Sequence, residues 1–242
     1  MLAERLGLAT VAPEMVRAVT LDFGGTLDGE EHWRERFWRL YEAVGLGPDR
    51  AEFERAFATA TRAAYNEVAL RGATLRELVR YHVEQQCQVL RLDAEVALEL
   101  VVQRFVAESR AALQRHALLL RRWRERVRLG VISNFYGNLP VVLAMEGLAP
   151  LFDVVMDSTL VGTRKPERGI FELACRALGF RPEEVVHVGD SLEHDVYGAR
   201  NAGMKAAWLS SGEESGCDCL PPDVIRIDTL AALEGYLPWK PQ

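Results

Sequence analysis

The chain carries its candidate chemistry where short apolar runs stop. Ala18-Val19-Thr20-Leu21 ends at an acid, Asp22, followed by the paired glycines Gly24 and Gly25 and then Thr26. A second run, Val127 to Ser133, ends in Ser133-Asn134; a third is followed, after a loop, by Lys165-Pro166. A fourth, Val185 to Gly189, ends in Asp190-Ser191, with Asp195 one helical turn past Asp190. Three carboxylates brought into one pocket repel each other and do not all stay ionised without a cation. A hard divalent ion with oxygen ligands, Mg2+, is their natural partner. Lys165 adds a positive charge, while the Ser133 hydroxyl, the Asn134 amide and the loop around Gly25 and Thr26 offer hydrogen-bond donors. Such a set holds an anion beside a metal-bound carboxylate and suits the charge of a phosphoryl group in transfer. A carboxylate can itself be the nucleophile, passing through an aspartyl-phosphate.

The elements that must position these groups follow from periodicity. The run ending at Asp22 reads as a buried strand breaking into a tight loop. From about Glu30 the period changes: Trp33, Phe37 and Tyr41 recur every four residues, an apolar helical stripe that Gly45, Gly47 and Pro48 bring to an end. Further helices are expected over about Ala51 to Leu70, Leu75 to Leu90 and Ala94 to Gln114, with no strand signal between Glu30 and His116. Beyond Leu120 strands and helices alternate. Strands are expected at Val127 to Ser133, Val154 to Asp157, Val185 to Gly189, Ala206 to Leu209 and Val224 to Ile227, with single helices between the earlier ones. That alternation implies right-handed crossovers and a parallel sheet, on which all the marked strand ends share one edge. The expected fold is therefore α/β: a Rossmann-like parallel-sheet core of residues 1–28 and 117–242, with an inserted all-helical domain of residues 29–116. Gly24, Gly25 and Gly29 offer hinge-like freedom at the junction.

Composition narrows the function classes. The 242 residues are 49% hydrophobic and 26% charged with a net charge of −6, ordinary values for a globular protein and no electrostatic footprint for nucleic acid or an anionic membrane. No apolar run reaches the length of a membrane span, and the first fifteen residues lack a secretory pattern, so the cytoplasm is the expected location. Cys87, Cys175, Cys217 and Cys219 form no disulfide framework, and Cys217-Asp218-Cys219 lacks the second ligand pair of a zinc site. Lysine occurs only at 165, 205 and 240, which makes the place of Lys165 informative. His187 lies inside an apolar run and reads as a core histidine, whereas His194 and His32 fall where they can reach the pocket rim.

Four motifs in order, DFGGTL at 22–27, VISN at 131–134, Lys165-Pro166 and VGDSLEHDVYGA at 188–199, resemble those of the haloacid dehalogenase superfamily, mostly phosphatases. The helical insertion looks like that superfamily's cap between motifs one and two. The resemblance implies Asp22 as nucleophile, and Asp22, the Gly24 carbonyl and Asp190 as metal ligands with Asp195 in support. It further implies Ser133 as the hydroxyl that binds the phosphoryl group, Asn134 as a substrate-orienting amide and Lys165 as the charge that offsets nucleophile and phosphoryl. The implied partner is a small phosphorylated metabolite and the implied cofactor Mg2+.

One position departs from the pattern. Phosphatases of the superfamily carry a second aspartate two residues after the nucleophile, which protonates the leaving group and then activates water; here that residue is Gly24. Glycine keeps the carbonyl that binds metal and lacks the acid. General acid–base catalysis contributes typically about 10²–10⁴-fold, so alkyl phosphates should turn over slowly unless His32, Glu30, Glu31 or a substrate group substitutes. Asp28 is expected to point along the exit to the helical insertion. A cap-lysine Schiff base is excluded, because residues 30–116 contain no lysine. Two alternatives stand beside a specialised Mg2+-dependent phosphohydrolase: a non-catalytic binding or regulatory member, and another aspartate-nucleophile reaction such as dehalogenation.

Overall fold

The computed structural model describes residues 16–92, 95, 98–210 and 220–236; the first fifteen residues and the Cys217-Asp218-Cys219 stretch lie outside them. The sheet has six strands, all parallel, in the order β3-β2-β1-β4-β5-β6. These are β1 Ala18–Leu21, β2 Arg128–Ser133, β3 Val154–Asp157, β4 Val185–Gly189, β5 Lys205–Leu209 and β6 Ile225–Ile227. All four residues of β1 are buried, as a central strand covered on both faces requires. Its alternation divides the core in two. Val19 and Leu21 face one apolar cluster, with Leu120, Leu129 and Trp123; Ala18 faces the other, with Ile132, Ile170 and Phe171.

Between β1 and β2 the chain is helical: α1 Trp33–Ala43, α2 Arg50–Asn66, α3 Leu75–Leu90 and α4 Gln103–Arg124. Local sequence sets their starts. The Asp49 carboxylate caps α2 at Ala51 N and Glu52 N, and Thr74 with Glu77 forms a capping box on α3, each contributing about 1 kcal/mol. The α1 stripe packs Trp33, Phe37 and Tyr41 inward. Helix α4 does not stop near Gln114. It runs to Arg124 as one helix, because Leu119, Leu120 and Trp123 continue its buried face while Leu118 turns outward.

After β2 come α5 Leu139–Met145 and α6 Arg168–Leu178. Helix α6 buries Ile170, Phe171, Ala174 and Cys175 on one stripe and ends where Gly179 turns left-handed, at φ 77°. The helical segment between β4 and β5 is irregular, a wide turn over Leu192–Tyr197 followed by Gly198–Asn201. No helix among the described residues is long and apolar enough to cross a membrane. In the strand order, β1 is the point at which the connections reverse direction, with β2 on one side and β4 on the other. Ligands of such sheets lie in the crevice at that point, beyond the carboxyl ends of the strands.

Candidate active site

Asp22 and Asp190 are the residues that follow β1 and β4, and Asp22 N continues the ladder to Val188 O at 2.8 Å. Carboxylate oxygens of Asp22, Asp190 and Asp195, one from each, all lie within 4.8 Å of one another. Lys165 reaches in from the loop before α6, its ammonium 2.7 Å from Asp22 Oδ1 and 2.5 Å from Asp195 Oδ1. The Lys165 ammonium is the charged partner of Asp22 Oδ1. Burial by itself would lower the Lys165 pKa; Asp195 and Asp22 more than offset it and raise it, so the ammonium stays charged.

Asp195 is the most supported of the three acids. It accepts from Lys165, from Ser191 N at 3.0 Å and from His187 Nε2 at 3.0 Å. Burial works to raise its pKa, but Lys165 and His187 hold it well below the usual carboxylate range. His187, expected to be a core histidine, is buried and has both ring nitrogens paired, Nδ1 lying 3.0 Å from Thr20 Oγ1. Burial lowers its pKa against the pull of Asp195; the neutral ring donates through Nε2 and fixes the Asp195 rotamer. Asp190 is the opposite case. Among the described residues no cation pairs with it, and burial, then Asp22, then Asp195 raise its pKa well above the usual value. Three carboxylates against one ammonium leave two unmatched negative charges, and the donor set is all oxygen. A hard divalent cation fits both facts.

The turn after Asp22 is built around this cluster. Gly25 has φ 78°, and a Cβ there would overlap the Asp190 carboxylate and approach the His32 backbone. Gly25→Ala should therefore lose about 1–3 kcal/mol through backbone strain and push Asp190 aside. Urea unfolding and Mg2+ titration of the same variant would read both effects. The expected hinge at this junction is instead tied down. Asp28 is buried at the exit to the helical insertion, where it accepts from Gly25 N at 3.0 Å and from Trp33 Nε1 of α1 at 2.7 Å. It also takes Arg36 Nη1 from α1 at 3.2 Å and Ser109 Oγ from α4 at 3.1 Å. His116 Nδ1 holds Leu27 O from α4 at 2.8 Å.

Ser133 lies at the floor of a cavity of about 700 Å3 that also takes in Asp22, Gly24, Lys165, Asp190 and Asp195. Asn134 lines it too, and each end of its amide bonds the backbone of Lys165: Nδ2 donates to the carbonyl at 2.9 Å and Oδ1 accepts from the N–H at 2.8 Å. Asn134 thus clamps the Lys165 backbone from the cavity wall. Gly25 and Thr26 are buried beneath the loop and do not line the cavity. Of the groups offered as substitutes for an acid beside Gly24, Glu30 is held by His116 and Arg115 and Glu31 by Arg39, and neither lines the cavity. His32 does. Its Nδ1 accepts Arg34 N–H at the start of α1, which leaves Nε2 as the N–H donor of a neutral ring. Burial, then the Arg34 guanidinium, lower its pKa even though the residue keeps contact with solvent. His194 also lines the cavity and pairs with Ser191 Oγ at 3.1 Å.

The space beside Gly24 is filled by Trp33. A Cβ at position 24 would meet the indole Nε1 at 3.3 Å and Cδ1 at 3.4 Å. Trp33 is both core and cavity wall: it is buried, packs edge-on to Phe105 at 5.1 Å, and lines the site. Periodicity showed its burial; nothing in its spacing indicated that it faces position 24.

A family model for haloacid dehalogenase-like hydrolases matches residues 16–203. The chain belongs to that family. The chain is 31% identical to a phosphoserine phosphatase of Thermus thermophilus over 205 residues, which are 81% of this chain and 71% of that enzyme. It is 39% identical to a glyceraldehyde 3-phosphate phosphatase of Pyrococcus furiosus over 105 residues, 41% of this chain and 42% of that enzyme; this match thus spans about two fifths of the relative's length. Among solved structures, the HAD-hydrolase YfnB of Bacillus subtilis bound to magnesium superposes with a TM-score of 0.60 at 20% identity, covering 93% of this chain and 99% of that one. That likeness is one of fold. The parallel sheet with helices inserted after its first strand is thus the architecture of the haloacid dehalogenase-like hydrolases.

Proposed function

We propose that the protein is a Mg2+-dependent phosphohydrolase of small phosphorylated metabolites that works through an aspartyl-phosphate at Asp22, with residues 29–116 as its cap. The observation that carries this reading is the convergence of Asp22, Asp190, Asp195 and Lys165 at the switch point of the sheet, with Ser133 on the same cavity floor. The phosphatase names of the Thermus and Pyrococcus relatives support the substrate class.

Asp22, Asp190 and the Gly24 carbonyl would hold the ion, with Asp195 supporting it through the loop. When bound, Mg2+ would offset the charge of the acids and of the phosphoryl oxygens. An Asp22 carboxylate oxygen attacks phosphorus, forming the O–P bond as the bond to the leaving oxygen breaks. Ser133 Oγ and the Lys165 ammonium hold the phosphoryl oxygens. Water then attacks phosphorus, releasing phosphate and restoring Asp22. With no carboxyl at position 24, the leaving oxygen departs as a stable anion or takes a hydrogen bond from His32 Nε2. Substrates with good leaving groups are therefore favoured.

The decisive assay offers an aryl phosphate and an alkyl phosphate with Mg2+ or with chelator. The expected result is Mg2+-dependent phosphate release from the aryl ester, with the alkyl ester slower by about 10²-fold or more. Failure of both esters at every Mg2+ concentration would favour the non-catalytic alternative. Halide release from a 2-haloacid in chelator would favour dehalogenation.

The ion can also be tested without turnover. The raised Asp190 pKa gives the metal-free protein stability that is full below about 3.9, the unfolded value, and is lost as pH rises through the folded value. Mg2+ binds the ionised form, so the rise in Tm on adding Mg2+ should grow over that same pH range. The corresponding gain in stability should approach about 2.7 kcal/mol at a hundredfold excess over Kd. Asp190→Asn should raise the metal-free Tm at pH 8 and abolish the Mg2+ increment. A pH-independent increment, or one retained in Asp190→Asn, would refute this site.

A further inference from the structure

Three cations of the cavity lining come from arginine or lysine, and two are engaged with acids. Lys165 lies against Asp22 and Asp195; Arg34 pairs with Glu35 at 2.9 Å and Glu54 at 3.6 Å. The third, Arg164, has no carboxylate partner among the described residues. Its guanidinium carbon sits 5.3 Å from the centroid of the Tyr65 ring, and Tyr65 packs on buried Tyr136 at 4.6 Å.

This placement has a structural cause. Arg164 immediately precedes Lys165, whose backbone N–H and C=O are both clamped by Asn134. The two consecutive side chains diverge: Lys165 runs inward to the acids, while Arg164 runs to Tyr65 on α2. The guanidinium thus bridges from the core loop to the helical side of the cavity. A guanidinium held over a ring face makes no hydrogen bond there, so its N–H fork stays available. That fork matches a carboxylate in two parallel hydrogen bonds.

We propose that Arg164 recognises a second anionic group, so that the preferred substrates are phosphate monoesters whose body carries a carboxylate. This rests on the phosphohydrolase reading for turnover, but the recognition step is separable from it. The phosphoryl end lies with Asp22, Ser133 and Lys165, and the carboxylate end lies against Tyr65 and Arg164. A cavity of about 700 Å3 is of the size that encloses a small ligand, so both ends of a compact ester are held at once.

The experiment compares two aryl esters of equal shape, 4-carboxyphenyl phosphate and 4-carbamoylphenyl phosphate, in the full chain with Mg2+. The expected wild-type result is a KM about 10- to 100-fold lower for the carboxylate, the range of one charge-assisted pair, with similar kcat for both. Arg164→Gln should erase the difference by raising KM for the carboxylate alone, and Arg164→Lys should restore part of it. Arg168→Gln removes the same charge from an exposed arginine outside the cavity and should leave the ratio unchanged, which separates a local contact from bulk attraction. The same comparison is made at equilibrium by calorimetry with 4-phosphonobenzoate and phenylphosphonate, which are not hydrolysed. If neither ester is turned over but the benzoate binds more tightly in an Arg164-dependent way, the phosphohydrolase reading fails and the anion site stands. Equal binding of the two phosphonates by the wild type, no binding of either, or a preference that survives Arg164→Gln would each overturn the assignment of Arg164.

Discussion

Asp22→Asn is expected to lower kcat/KM toward an aryl phosphate by about 10⁴-fold or more, the scale on which loss of a covalent nucleophile acts. The change keeps the shape of the side chain and the backbone bond from residue 22 to Val188 O, so the fold should survive. Lys165 loses one partner and retains Asp195. Asp190 loses a neighbouring negative charge that helps to raise its pKa, so metal-free stability should hold or rise slightly. A thermal melt therefore separates chemical from structural loss. The intermediate gives a second readout. Acid-quenched wild type treated with an aryl phosphate should carry one phosphoryl group on the peptide containing Asp22, and the variant none. Because position 24 has no carboxyl to activate water, this adduct should be long-lived in the wild type. Retention of activity in Asp22→Asn, or a phosphoryl group on another peptide, would assign the nucleophile elsewhere.

The residues of the sheet were legible because a parallel strand is covered on both faces and reads as an unbroken apolar run. The acids and hydroxyls that interrupt those runs, Asp22, Ser133 and Asp190, then mark the edge where a ligand sits. Lys165 stood out by rarity. What was not legible depends on partners that meet only in three dimensions. Asp28 is adjacent in sequence to the motif, yet its role comes from Arg36 on α1 and Ser109 on α4, the latter 81 residues away. Leu118-Leu119-Leu120 carries no period of its own, so the passage of α4 through it shows only once Trp123 is seen on the same buried face. His187 was read correctly as buried, but an apolar run cannot indicate that its second nitrogen holds Asp195. Arg164 belongs to no pattern at all. Its meaning comes from Tyr65 on α2 and from the absence of an acid beside it among the described residues.

Gly24→Asp alone is expected to change alkyl phosphate turnover by less than about tenfold, whereas Gly24→Asp with Trp33→Leu should raise it by about 10²–10⁴-fold, the contribution of a positioned acid–base group. The backbone is not the obstacle: Gly24 has φ −75° and ψ 122°, open to any residue. The obstacle is the indole. Its Nε1 and Cδ1 lie 3.3 and 3.4 Å from where a Cβ would stand, so a side chain at position 24 fits beside the ring only if the ring gives by a few tenths of an ångström. The indole resists that shift, because Asp28 holds Nε1 at 2.7 Å and Phe105 and Phe135 pack against the ring at 5.1 and 6.0 Å. Leucine at 33 removes the plane and the donor and keeps an apolar side chain on the stripe. Truncating a buried tryptophan costs about 3–5 kcal/mol when carried to alanine; leucine should cost less, so the double variant should fold with a lowered Tm. Trp33→Leu without the aspartate separates the two effects, since it opens the space and supplies no acid. Its alkyl activity should remain near that of the wild type. If Gly24→Asp by itself gives the full gain, Trp33 is not what excludes the acid. If the double variant folds, binds Mg2+ and gains nothing, leaving-group protonation is not the step that position 24 withholds.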